Sequence, residues 1–327
     1  MFAGVDLGGT SIHAAAVQGG RVLAEAGSKT PLDGGTDAIL RQIAELVDEL
    51  RAGVDEDGPL VGVCVGAPGA VDQESGVVRK APNLGWSNVP LGRDLSKLLN
   101  LPVVVDNDVT VGAIGEHLHG AGKGSRHMAA VFVGTGVGGA LIVDGKPVRG
   151  GRGAAGEFGH LIAIPGGRRC GCGRRGCFEA YASRTAMEEI LRERMAEGRD
   201  SAVPEIMAAN GKTRMSSSVI EAALDRGDPL MMEVLGEVQG HLAVLVADLV
   251  NAVDPEVVVF GGGLVERLGG RFVDPIARRA RKGFLQQEGA EGIRIVPGTL
   301  GDHAGTLGAA AVAARLLDRR SSPVPPA

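Results

Sequence analysis

The sequence predicts an α/β protein, and three observations predict it. Two stretches repeat one design: an apolar strand, a Gly/Thr-rich turn and a second strand. One is built around DLGGT (Asp6 to Thr10) and the other around GTGVGG (Gly134 to Gly139). Elsewhere, short continuous apolar runs alternate with segments whose apolar residues recur at helical spacing. The composition is that of a soluble globular chain, 44% hydrophobic with a formal net charge of −5. Without a basic excess a nucleic-acid partner has no electrostatic support, and 3% aromatics leave few platforms for base stacking. At 327 residues, one or two domains are expected. The 53 glycines fall mostly in turns between strands, which points to backbone approaching ligands rather than to disorder. There is no basic-then-apolar leader and no unbroken apolar run of 18 residues, so the chain reads as cytoplasmic, with no membrane partner.

In order, Phe2 to Asp6 is a buried strand. Ile12 to Val17 and Arg21 to Ala26 continue it as an antiparallel meander. Gly8, Gly9 and Thr10 make a turn whose N–H groups and hydroxyl suit phosphate oxygens, although a Gly-Gly hairpin needs no ligand. Asp6, a carboxylate at the end of that strand, is placed to hold Mg²⁺ through water. Thr36 to Arg51 carries a helical apolar face. Leu60 to Val65 is a buried strand that leads into GAPGAVD, with Cys64 as a core residue. APNLGW (Ala81 to Trp86) is a loop and Asp94 to Leu99 a short helix.

Leu101 to Val105 is the next strand. It ends in DND (Asp106 to Asp108) before a helix over Val109 to His119. An acid there sits where open α/β sheets place ligands, or it caps the helix; position alone leaves both open. Strand His127 to Val133 runs into GTGVGG. Two such turns facing each other could clamp the phosphates of one nucleotide, although neither is a Walker loop nor a GxGxxG opening a helix. Helices follow at Ser183 to Met195 and Ser216 to Leu224. A long one is capped by Asp228, with Pro229 first, and reaches about Val253. Strand Glu256 to Phe260 ends in Gly261, Gly262 and Gly263, a candidate approach to a base or ribose. Pro275 to Lys282 is helical, Ile293 to Pro297 a strand, and His303 to Asp318 a terminal helix before a Pro-rich tail.

The most specific stretch is GEFGH (Gly156 to His160) followed by CGCGRRGCFE (Cys170 to Glu179). Three of the chain's four cysteines lie within eight residues there. A disulfide framework would leave one of the three unpaired. Three thiols beside one histidine suit zinc, which makes His160, Cys170, Cys172 and Cys177 the candidate ligands. Gly171, Gly173 and Gly176 allow the tight turns this needs. Glu157 and Glu179 flank the cluster and share its site.

In this order, DLGGT, GAPG, APNLGW, DND, GTGVGG, GEFGH and CGCGRRGCFE resemble the ROK family of sugar kinases and repressors, above all its bacterial glucokinases. The resemblance covers nearly the whole chain, and the last two motifs carry most of its specificity. It implies the actin-like ATPase, hexokinase-type (ribonuclease H-like) fold: two α/β domains flanking a cleft. The small domain would span 1–115 with helix 303–320 returning to it and the large domain 116–302; the Pro-rich composition of 321–327 itself reads as a disordered tail. It implies ATP-dependent phosphorylation of the 6-hydroxyl of glucose, with Asp108 as catalytic base. Gly66, Asn83, Asn107, Glu157, His160 and Glu179 would bind the sugar. Asp6, Gly8, Gly9, Thr10, Gly134, Thr135, Gly136 and Gly138 would hold the phosphates, with Gly261 to Gly263 near the adenosine. Mg²⁺ would enter with ATP. Zinc would be structural, one His160 nitrogen on the metal and the other on a sugar hydroxyl, and would matter more to sugar than to nucleotide because the phosphate loops lie far away in sequence.

Two departures stand out. Ser11 follows DLGGT where the family often has Lys, and Ala140 follows GTGVGG where Gly is common. The alternatives within the family are kinases for N-acetylglucosamine, N-acetylmannosamine, fructose or allose, APNLGW leaning towards glucose. A ROK repressor carries a DNA-binding domain before DLGGT, and here that motif begins at Asp6. The resemblance also implies a homo-oligomer, dimer or tetramer.

Overall fold

The computed structural model describes residues 1–321; the tail expected over 321–327 falls, past 321, outside the described residues. Two compact units emerge. The first comprises 1–124, 147–155 and the segment from 302 onward; the second comprises 125–146 and 156–301.

In the first unit, Phe2–Leu7 (β1), Ser11–Gln18 (β2) and Arg21–Lys29 (β3) form the antiparallel meander. Helix α1 (Gly35–Gly53) buries Ile39, Ile43, Leu46, Val47 and Leu50, the face its periodicity announces. Strand β4 (Val63–Ala67) pairs parallel with β1. A three-stranded sheet of β5 (Ala70–Asp72), β6 (Val77–Ala81) and β7 (Trp86–Val89) follows. The sequence reading missed this small sheet; APNLGW is a 3-10 turn over Pro82–Leu84 flanked by two of its strands. Helix α2 (Leu91–Leu99) leads to β8 (Val103–Asn107), which runs parallel to β4, and to α3 (Asp108–His119). The main sheet has the order β3-β2-β1-β4-β8. The C-terminal helix, His303–Ser321, packs on α3 and β1. Glycines make that packing possible. A Cβ on Gly4 would collide with Thr306 O, on Gly115 with Ala304 O, and on Gly308 with Val111 O. These glycines serve element packing, not the ligand approach that the composition suggested.

The second unit repeats the plan. Its sheet has the order β11-β10-β9-β12-β13, built from β9 (Met128–Val133), β10 (Val137–Val143), β11 (Lys146–Pro147), β12 (Val257–Gly261) and β13 (Arg294–Pro297). Its helices are α4 (Glu179–Ala182), α5 (Arg184–Ala196), α6 (Val203–Ala209), α7 (Ser217–Asp225), α8 (Pro229–Val253), α9 (Gly263–Leu268) and α10 (Gly270–Ala280). Asp228 caps α8 by accepting from Met231 N at 2.8 Å. By length and composition α8 could cross a membrane, yet 61% of its most apolar window is buried, with Leu242, Leu245 and Val246 in the unit's core.

Helix α10 begins five residues before Pro275, not at it as the sequence reading held. Proline inside a helix leaves the carbonyl four residues back without its donor. Here that carbonyl, Arg271 O, accepts from Gln239 Nε2 of α8 at 2.9 Å. A long-range bond thus makes tolerable what local propensity forbids.

Candidate functional site

In the first unit the carboxyl ends of β1, β4 and β8 lie side by side, with Asp6 opposite Gly66 and Gly66 opposite Asp106. That is the end of an open sheet where ligands bind. Asn107 is the N-cap of α3. Its Oδ1 accepts from Thr110 N at 3.0 Å and Thr110 Oγ1 at 3.2 Å, and its Nδ2 donates to Gly69 O and Asp108 Oδ1, each at 3.0 Å. All four hydrogen bonds of the amide are therefore made internally, so a sugar hydroxyl reaches Asn107 only by exchanging one of them. The capping role left open for Asp108 falls to Asn107. Asp108 is the first helical residue, and its Oδ1 accepts from Val109 N at 2.8 Å.

Behind this pair Asp106 is buried. It accepts from Gln73 Nε2 at 2.7 Å and Asn107 N at 3.0 Å, and it is ion-paired with Arg149. A buried carboxylate needs such partners. Sequence reasoning missed Arg149, 43 residues away; the only signal was a second acid in DND at the end of a buried strand. Cys64 lies nearby, its thiol pushed up by burial and then by Asp106, which keeps it a neutral core residue.

Gly66 lets α3 approach: a Cβ there would collide with Val111 and stand 3.4 Å from Asp108 Cα. Asn83 lies against the first turn, its Cβ 3.5 Å from where a Cβ on Gly9 would be. The turn itself is closed by Gly8 N donating to Ser11 O at 2.9 Å, and Thr30 Oγ1 donates to Gly8 O at 2.7 Å. The Asp6 carboxylate packs on Gly305 of the C-terminal helix. Asp6, Gly8, Gly9, Thr10, Gly66, Asn83, Asn107 and Asp108 thus gather at one end of one sheet.

In the second unit β9 and β12 are parallel neighbours, with Gly261 opposite Phe132. The second and third glycine turns therefore lie together at one sheet end; a Cβ on Gly262 would come within 2.7 Å of Val133 O. The second turn is shorter than its motif, since Gly138 and Gly139 are already in β10. Ala140 is buried in the same strand, away from the turn itself.

The cysteine loop comes next to this turn. Gly173 and Gly176 have positive φ, 91° and 86°, and they fold the segment into a hairpin bridged at Arg169–Arg175 and Ile162–Cys177. One ligand atom each from His160, Cys170, Cys172 and Cys177 lies within 4.8 Å of the others. Around an ion with metal–sulfur bonds of about 2.3 Å, tetrahedral neighbours stand about 3.8 Å apart. Cys172 Sγ and Cys177 Sγ are 3.7 Å apart, and Cys170 Sγ and His160 Nδ1 3.8 Å, so the donor set fits zinc. Burial pushes the Cys170 thiol up to about 12. Cys172, which burial also opposes, is drawn down to about 6 by backbone and side-chain hydrogen bonds from Arg174.

Glu179 joins the cluster to the turn. Its Oε1 is 3.5 Å from Cys170 Sγ, and its Oε2 accepts from Val137 N at 3.1 Å. A Cβ on Gly136 would collide with that oxygen. Glu179 thus links the cysteine loop to the GTGVGG turn, although the two lie far apart along the sequence. Glu157 is exposed and precedes a 3-10 turn over Phe158–His160; its carbonyl accepts from His160 N at 3.0 Å.

Comparison with known proteins bears on this geometry. The model of the ROK family matches residues 2–315. A glucokinase of Halalkalibacterium halodurans is 34% identical, covering 94% of this chain and 93% of that protein. A glucokinase of Thermotoga maritima is 34% identical, over 94% and 96%. A crystal structure of a ROK family glucokinase from Streptomyces griseus in complex with glucose and AMPPNP has a TM-score of 0.82 and 34% identity, covering 96% of this chain and 99% of that one. With two α/β units of actin-like ATPase type and a family match along almost its whole length, the chain belongs to the ROK family.

Proposed function

We propose that the protein is an ATP-dependent glucokinase, transferring the γ-phosphoryl group to the 6-hydroxyl of glucose. The observation that carries this reading is its 34% identity to glucokinases along nearly the full length of both chains. Asp108 takes the proton of the 6-hydroxyl as that oxygen attacks phosphorus. Asn107 fixes Asp108, and Asp106 with Arg149 fixes Asn107. Gly66, Asn83, Glu157, His160 and Glu179 hold the remaining hydroxyls, for which carboxylate, amide and imidazole supply matched acceptors and donors. The turns at Gly8–Thr10 and Gly134–Gly136 hold the phosphate chain, and Gly261 to Gly263 take the adenosine. Asp6 would hold, through water, the Mg²⁺ that enters with the nucleotide, and that ion would supply charge neutralisation. Positioning and fixed charge do most of the work in phosphoryl transfer. His160, Cys170, Cys172 and Cys177 would hold a structural zinc, which would fix the orientation of the His160 ring and leave its other nitrogen for a sugar hydroxyl. The enzyme works in the cytoplasm.

A coupled assay with a panel of hexoses and N-acetylhexosamines tests this. Glucose gives the highest kcat/KM, with ADP released only when sugar is present. Preference for N-acetylmannosamine, N-acetylglucosamine, fructose or allose would move the enzyme to another kinase of the family; silence on every sugar would end the kinase reading. We also propose a homo-oligomer, dimer or tetramer, as most symmetric assemblies are. Light scattering should give a multiple of the 33.4 kDa chain mass, and a monomer refutes it.

A further inference from the structure

The second phosphate turn is gripped by the start of α5. Ser183 caps that helix, its Oγ accepting from Ala186 N at 3.0 Å. Arg184 N donates to Gly134 O at 2.9 Å, Thr185 Oγ1 donates to Thr135 O at 2.8 Å, and Arg184 Nη2 donates to Thr135 Oγ1 at 2.9 Å. This guanidinium is thus a cation in direct contact with the turn. Among the described residues no carboxylate lies within ion-pair distance of it: Glu188, an acid whose charge it feels, is engaged by Arg192 at 2.7 Å and by Arg214 at 3.8 Å. Burial, then the Arg214 charge, holds Arg184 below the usual arginine range. Three arginines around one glutamate put positive charge on one side of the turn; the Glu179 carboxylate, bonded to Val137 N, stands on the turn as well. A guanidinium with five donors, one of them on Thr135, has several left for an anion. In the first turn, Ser11 offers only a hydroxyl, 3.1 Å from His13 Nε2.

We infer that Arg184 binds the phosphate chain of the donor and supplies at the second turn the positive charge that Ser11 does not supply at the first. This rests on the reading of Gly134–Gly136 as a phosphate turn. Arg184 holds Thr135 in place before the donor arrives and hydrogen-bonds phosphate oxygens once it is bound. A bond from a charged donor to a phosphate is of the stronger class, and partial exposure brings its effect here to about tenfold in affinity.

The test is calorimetry on the full-length protein and on Arg184→Ala and Arg184→Lys, with ADP and inorganic tripolyphosphate, and ligand-observed NMR with adenosine. Arg184→Ala should weaken ADP and tripolyphosphate about tenfold, leave adenosine and the KM for glucose unchanged, and raise the KM for ATP; Arg184→Lys should recover part of the loss. Equal weakening of adenosine and ADP would make Arg184 a support for the turn and overturn the inference. Unchanged ADP affinity in Arg184→Ala, with wild type binding normally, overturns it too. Wild type that phosphorylates no sugar and binds neither ADP nor tripolyphosphate overturns the phosphate-turn reading itself.

Discussion

Asp108→Asn lowers kcat by roughly 10²–10⁴-fold, the span of general-base catalysis, while glucose binding measured by calorimetry stays near wild type. The structure makes this a clean substitution. Asp108 Oδ1 accepts from Val109 N and from Asn107 Nδ2, and an amide oxygen in its place accepts both. The helix cap is on Asn107, so α3 keeps its start. What the amide cannot do is accept the proton of the attacking hydroxyl. The paired measurement is stability: the melting temperature should move little, because neither the cap nor the buried Asp106–Arg149 pair is touched. A variant with near-normal kcat would return Asp108 to a purely structural role.

Cys172→Ser should release the metal and lower kcat/KM by at least about 10²-fold, the scale of a misplacement near 1 Å at a reacting centre. Cys172 is the exposed member of the four. Without its thiolate only three ligands remain, and the hairpin around them has few apolar contacts of its own: Cys170, Cys177, Ala180 and Tyr181 form a small cluster. His160 then loses its fixed ring orientation and Glu179 its neighbour. Because Glu179 also accepts from Val137 N and packs on Gly136, nucleotide affinity should fall as well, though less than glucose affinity. Circular dichroism should stay close to wild type, since the second unit's core runs through α5, α7, α8 and α10 and does not depend on the hairpin. Metal content by emission spectroscopy, circular dichroism and the two affinities decide the matter. A zinc-free variant that binds glucose normally would show that the metal does not organise the sugar site.

The amino-acid sequence alone determined what depends on neighbours along the chain. The Gly-Gly turn after β1, the period of α1, the Asp228-Pro229 start of α8 and the Cys-Gly-Cys spacing are all local chemistry, and each is where its residues said. The grouping of His160, Cys170, Cys172 and Cys177 was legible because thiols so close in sequence have few other arrangements. Only the tertiary structure decided what depends on residues brought from afar. It assigned the cap to Asn107 rather than Asp108, a matter of which side chain the turn of β8 into α3 aims at Thr110 N. It placed Arg149 on Asp106 across 43 residues, because a carboxylate buried by sheet packing must find a cation wherever the chain supplies one. It let Pro275 stand inside α10 by giving Arg271 O to Gln239. It also joined the cysteine loop to the GTGVGG turn through Glu179, a link no spacing announces, since Val137 and Glu179 meet only once β10 is paired and the hairpin is folded against it. Local signals specify which residues can do chemistry; burial and long-range hydrogen bonding decide which of them work together.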